Sequence, residues 1–227
     1  MSLYLHGVVL LGHRLPDGSR FRLVALEDLA VVVSERLGAL NDQEATAQLA
    51  ELCALLPDGP VLPLRIGTTA VDESAARAAV LAFGLPVLRR HLDHLAGAAE
   101  MHVRLVFDED AALRAVYREG MLAGADLTAT IARGEQIARD VAAWRRNQAD
   151  VLLAPVAATA RAVVLLDAGE PTEDLRAYLV PLDQVEAVRA AVAALDGVTT
   201  ACTGPLPAFH FIDLTAQASP AASRWGW

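Results

Sequence analysis

The residues of this chain that could do chemistry are its six histidines, its two cysteines and one glycine-threonine block. His91 and His94 stand one helical turn apart and His102 follows closely, an arrangement that a shared metal ion could use. No acidic or cysteine ligand falls at a supporting interval, so the three read as a solvated helix face plus a strand histidine, and no metal site is expected. His6 and His210 are isolated in sequence and read as packed or surface side chains, not as bases. Gly67-Thr68-Thr69 precedes a helix and could cradle a phosphate on backbone amides, but the Walker spacing, its lysine and any GxGxxG are missing. There is no GxSxG elbow. Cys53 and Cys202 lie far apart without metal-type spacing and read as buried thiols of a reducing compartment. The acidic run Asp108-Glu109-Asp110 is accounted for by helix capping. No catalytic residue, cofactor-binding residue or cofactor is expected.

The elements that would hold any site come from 227 residues, 54% hydrophobic and 21% charged, enough for two domains with sizeable cores. A net charge of −9 excludes a phosphate-tracking surface, so nucleic acid is not an expected partner. All 19 basic residues are arginine, which removes every mechanism that needs a catalytic lysine. The mean hydropathy of +0.35 is high. Still, charges interrupt every apolar segment before it reaches the roughly 18 to 20 residues of a membrane span. The first seven residues show neither a basic region nor a cleavage-type pattern, so a cytoplasmic protein is expected.

In the first half, Leu3 to Leu11 is strongly apolar and reads as a strand buried on both faces. Strands at Phe21 to Ala25 and Leu29 to Ser34 follow. Asn41 with Glu44 is a capping box, and Ala45, Leu49, Leu52, Cys53 and Leu56 form one helical face that ends at Pro57-Asp58-Gly59-Pro60. Val61 to Thr69 carries Pro63, which cannot donate to a ladder, and so reads as an edge strand or an irregular extended passage. Asp72 and Glu73 open a helix that pauses at Gly84-Leu85-Pro86. Leu81, Leu85, Leu88, Leu92 and Leu95 make a seam read as core packing, with a groove for a partner helix as the alternative.

The second half is laid out from Glu100 to Asp108, where Met101, Val103, Leu105 and Phe107 alternate with His102, Arg104 and Asp108. Asp108 caps a short helix that ends near Gly120. Met121 to Gly134, with little periodicity, reads as a variable or mobile insertion. A long helix runs through Ile137, Val141, Trp144, Val151 and Leu152 until Pro155 ends or kinks it. Val163 to Leu166 is a strand, Ala168 to Asp174 a connector and Ala177 to Val180 a strand. Asp183 with Glu186 repeats the capping box ahead of a stripe at Val185, Val188, Val192 and Leu195, and Val198 to Cys202 closes the set. The order is β, α, β, β, α, β, that of a modified ferredoxin-like sandwich. Gly204 to Ile212 reads as a further strand burying Phe209 and Phe211, and the tail from Thr215, with Trp225 and Trp227, as disordered. The fold class is α+β, with domains over 1–97 and 98–214 and a flexible tail over 215–227.

Four passages together resemble the gas vesicle protein family GvpF/GvpL: Leu3-Tyr4-Leu5-His6-Gly7-Val8, Val61-Leu62-Pro63-Leu64-Arg65-Ile66-Gly67-Thr68, Glu100-Met101-His102-Val103-Arg104-Leu105 and Gly204-Pro205-Leu206-Pro207-Ala208-Phe209-His210-Phe211. The second and fourth are the specific ones. The fourth departs from the family in having Leu206 where an aromatic is usual and Ala208 where a proline is usual. The resemblance implies a non-catalytic accessory protein of gas vesicle assembly with two α+β domains. It further implies contact with the hydrophobic shell protein GvpA and other accessory Gvp proteins, at the vesicle or its assembly intermediates, with no lipid membrane or small-molecule substrate involved. Candidate partner surfaces are the edge around Pro63, Leu64, Arg65 and Ile66, the seam at Leu88 and Leu92, and the closing residues Leu206, Phe209 and Phe211. The alternative class is a regulatory α+β sandwich that binds a small molecule in a polar concave pocket. An enzyme would need convergent titratable groups that the sequence does not offer.

Overall fold

The run Leu3–Leu10 (β1) has no polar face, which suits only a strand covered on both sides, and it lies inside a sheet ordered β2-β3-β1-β4. The computed structural model describes residues 2–35, 38, 41–116 and 127–214. Here β2 is Arg22–Leu26, β3 is Leu29–Glu35 and β4 is Leu62–Pro63, while Thr69–Ala70 (β5) pairs with the other half of β1. β1 and β3 are antiparallel from Leu3↔Glu35 to Leu10↔Leu29, with a bulge at His6 between the Leu5 and Gly7 pairs. Gly7 is needed there, because a Cβ at this position would stand 2.9 Å from the Leu62 carbonyl of β4.

The capping box forms as expected. Asn41 Oδ1 accepts from Glu44 N at 2.9 Å and Glu44 Oε2 from Asn41 N at 3.2 Å, starting Asp42–Cys53 (α1). Asp72 caps Glu73–Leu81 (α2), and Gly84, at φ 84°, turns the chain into Leu85–Leu95 (α3) with Pro86 in its first turn. Guanidinium groups fasten these helices to the sheet. Arg77 Nε donates to the Ala25 carbonyl on the edge strand β2 at 2.9 Å, and Arg89 of α3 grips Asp28 in the β2–β3 turn through two nitrogens.

Ala98–Val106 (β6) opens the second half, and Asp108 caps Glu109–Val116 (α4) by accepting from Ala111 N at 2.7 Å. The helix that follows, Leu127–Leu152 (α5), begins earlier than its apolar stripe suggests, so residues 127–134 are helical and not an insertion; residues 121–126 lie outside the described residues. Pro155 acts as expected: α5 stops, Leu153 is the cap, and Ala154–Thr159 (α6) starts afresh with the proline in its first turn. Then come Ala162–Leu166 (β7), Glu173–Pro181 (β8), Val185–Ala193 (α7) and Thr199–Leu206 (β9). β8 takes in Glu173 and Asp174, which the connector was expected to hold. The second capping box does not form. Asp183 sits instead in a 3-10 turn, Leu182–Gln184, that leads directly into α7.

The four late strands make a second sheet ordered β7-β8-β6-β9, and its helix-facing core joins Met101, Val103, Leu105 and Phe107 to Tyr178, Val180, Val156, Val188 and Val192. Trp144 meets Phe107 edge-on at 5.6 Å. The chain divides into two compact units, one running to Glu100 and resuming at Pro205, the other Met101–Gly204. The division falls three residues after the expected 97/98 boundary, and the closing residues 205–214 go with the first unit, not the second. The reason is visible at Glu100, a carboxylate with no solvent exposure that accepts from His210 N at 2.9 Å and lies 2.6 Å from His210 Nδ1. A carboxylate removed from water needs such donors, and the closing segment supplies them. No helix among the described residues is long and apolar enough to cross a membrane.

Candidate functional site

β4 and β5 both pair with β1, and the five residues between them leave the sheet as a turn. Thr68 N donates to the Arg65 carbonyl at 3.1 Å, Thr68 Oγ1 donates to the same oxygen at 2.6 Å, and Gly67 takes the positive φ of 85° that the third position of such a turn requires. The flanks are fixed by Leu64 N to the His6 carbonyl and Leu5 N to the Thr68 carbonyl, both at 2.9 Å. Pro63 is buried on the sheet edge, where its missing N–H costs no ladder bond, and Leu64 turns inward beside it. Arg65 and Ile66 are thrust outward, Ile66 with half of its surface exposed.

The closing block does not continue as a strand. Pro205 and Pro207 interrupt the ladder donors, β9 ends at Leu206, and Phe209 N donates to the Pro207 carbonyl at 2.9 Å in a tight turn. Phe209 and Phe211 are therefore half-buried side chains on irregular backbone, and the expected aromatic strand is absent. Phe209, Ile212 and Leu214 form one wall of a groove of about 430 Å³ whose other walls are Pro63, Leu64 and Val80 with Phe83. Among the described side chains lining it, only Arg65 and Thr68 are polar. Such a cleft suits apolar side chains, with one guanidinium at the rim to fix orientation. Two blocks about 140 residues apart in sequence thus build one surface feature.

The other expected surfaces fare differently. Leu88 and Leu92 are buried in the first unit with Leu95, while Leu85 is half-buried and Leu81 is 43% exposed, so the later part of the seam is core and its start is not. Leu206 is half-buried at the end of β9 and Phe211 lines a neighbouring open hollow with His91, His94 and His210. Neither His91 nor His94 belongs to a set of three His, Cys, Asp or Glu side chains close enough to share an ion among the described residues. Trp225 and Trp227 lie outside the described residues.

Two features escaped sequence reasoning. His6, read as isolated, sits at the β1 bulge with Nε2 2.8 Å from Ser34 Oγ and its ring stacked on Phe21 at 4.5 Å. Burial lowers its pKa from 6.5 to about 4, more than the opposing charge of Glu51 raises it. A serine beside an imidazole invites comparison with a nucleophile and base. A base that weak has little drive to take a hydroxyl proton at neutral pH, and the pair satisfies two buried polar groups instead. The second is the bond from His210 to Glu100; no local spacing links residues that distant. Cys53 and Cys202 are free and half-buried, and burial raises both thiols.

A family model for gas vesicle synthesis protein GvpL/GvpF matches residues 2–213. The chain belongs to the GvpL/GvpF family. Its role is accordingly in gas vesicle assembly. Two solved structures are similar in fold: gas vesicle protein GvpF from Microcystis aeruginosa, with a TM-score of 0.74, 18% identity and coverage of 96% of this chain and 99% of that one, and GvpF from Anabaena sp. PCC7120, with 0.76, 18%, 96% and 97%. Comparison with curated proteins finds no match. At that identity the likeness speaks for the fold of this family member, and the groove stands on its own geometry.

Proposed function

We propose that this GvpL/GvpF protein binds the apolar shell protein GvpA, and with it other accessory Gvp proteins, through the groove between the Arg65–Thr68 turn and the Phe209–Leu214 segment, without catalysing a reaction. The observation that carries this is the convergence of the two most family-specific blocks on one apolar cleft with a single arginine at its rim. A shell subunit rich in apolar surface aggregates unless that surface is covered, and a soluble partner of net charge −9 holding it in a cleft would keep the pair dispersed. The work is done in the cytoplasm, at the vesicle or its assembly intermediates. The second unit is a modified ferredoxin-like sandwich in this reading, supported by its order β, α, β, β, α, β and its sheet order β7-β8-β6-β9.

The test is co-purification of GvpA with the full chain and with Arg65→Glu and Ile212→Ser, whose side chains both line the groove and lie outside the buried core. Capture should fall about tenfold or more for the pair of substitutions, equivalent to roughly 1.4 kcal/mol. Capture unchanged in both variants, with unchanged melting, rules the groove out.

A further inference from the structure

The arginines of the first unit differ in what they hold. Arg20 meets Glu51, Arg22 and Arg77 share Glu73, and Arg89 meets Asp28, so each of these guanidinium groups fastens one part of the unit to another. Arg65 and Arg90 do not: among the described residues neither guanidinium has an ion-pair or hydrogen-bond partner. Arg65 stands at the rim of the apolar groove, and Arg90 lines the open hollow of about 520 Å³ beside it. His91 and His94, from the same helix α3, line that hollow too, as does His210, whose Nδ1 lies on Glu100. Ile212 is common to both openings. Groove and hollow are therefore one continuous surface, apolar in one part and rich in nitrogen donors in the other.

An exposed guanidinium can be satisfied by water, so a lone arginine asks for nothing. The surface as a whole does, because an apolar cleft runs into a cluster of cationic and imidazole side chains on a chain of net charge −9. Asp213 is the one carboxylate among the described side chains of the hollow. We propose that the segment taken up by the groove is apolar and carries carboxylates beside its apolar side chains, the apolar part lying along Phe209 and Ile212 and a carboxylate meeting Arg90 and His91 in the hollow. This rests on the groove reading above and adds to it the charge of what is bound. Arg90 offers the carboxylate a two-pronged donor, and Arg65 can take a second one at the groove rim. Contacts of this kind at a rim orient a partner and reject wrong ones more than they add affinity. A basic segment of the same apolar content would be turned away.

The test uses the full chain and two synthetic peptides with the same leucine and phenylalanine stripe at helical spacing, one with glutamates and one with lysines beside the stripe. Fluorescence anisotropy should show the acidic peptide bound about tenfold more tightly at about 50 mM salt and within about threefold at about 500 mM, where exposed charges are screened. Arg90→Glu should weaken the acidic peptide about fivefold or more and spare the basic one, and Asp213→Asn should tighten the acidic one. Thermal melts show that each variant is folded. Ile212→Ser should weaken both peptides alike. Equal affinities at low salt, or a preference that Arg90→Glu leaves unchanged, overturn the proposal, and joint loss on Ile212→Ser then leaves the groove reading standing. Binding of neither peptide by a chain that captures GvpA overturns it as well, while failure to capture GvpA removes the groove reading with it.

Discussion

His6 holds the clearest pH dependence at the level of single residues. Its folded pKa of about 4 lies below the ordinary 6.5, so between those values the unfolded chain binds a proton that the folded chain refuses. Stability is complete above pH 6.5 and is lost as the pH falls toward 4, by at most roughly 3 kcal/mol from this group. His13, also lowered chiefly by burial, acts in the same direction. In urea unfolding at pH 7 and pH 5, His6→Gln keeps a partner for Ser34 but cannot titrate, and the difference between the two pH values should shrink by about 2 kcal/mol. An unchanged difference would show that His6 is not the group responsible. Gly7 is a purely steric case. Gly7→Ala places a methyl 2.9 Å from the Leu62 carbonyl, backbone that cannot swing aside, and should cost about 1 to 3 kcal/mol by the same assay.

Among the elements, the turn at Arg65–Thr68 separates backbone strain from packing. A side chain at Gly67 would meet nothing within 4 Å, so any penalty arises from φ 85° alone. Gly67→Val should lose about 1 to 2 kcal/mol and Gly67→Asn distinctly less, because asparagine tolerates the left-handed region. Equal losses would place the cause elsewhere. This turn also marks where the sequence could be read. Pro63 announced an edge because a missing N–H has only one cheap place in a sheet, Asn41 with Glu44 announced a helix start, and Pro155 announced a break; each is a local constraint carried by one or two residues. The start of α5 was not legible, since residues 130–134 are all exposed and turn no apolar face inward. The closing strand was misread for a related reason. Alternating aromatics at Phe209 and Phe211 imitate strand periodicity, while the preceding prolines deny the ladder its donors. The groove could be read only in halves, as two blocks, because contact between them depends on the chain returning to its own beginning.

That return governs the whole molecule. The first unit is completed by residues from the far end of the chain, and Glu100, wholly buried, takes two bonds from His210 there. Ending the chain after Gly204 removes both donors and the Phe209 wall while leaving the second unit, Met101–Gly204, at its full extent. Taking a hydrogen-bond donor away from a buried acceptor costs about 1 to 3 kcal/mol, and more where the acceptor is a carboxylate. Hydrogen exchange resolves the two units separately, because each amide reports the opening of the structure around it. In the shortened chain, β1 amides should exchange with an opening free energy lower by about 3 kcal/mol, and β8 amides should change by less than about 0.5 kcal/mol. His210→Ala in the full chain, which keeps the backbone donor, should produce a smaller loss with the same distribution. Equal weakening of β1 and β8 would mean that the closing segment supports the molecule as one cooperative block, and that Glu100 is not where its contribution is made.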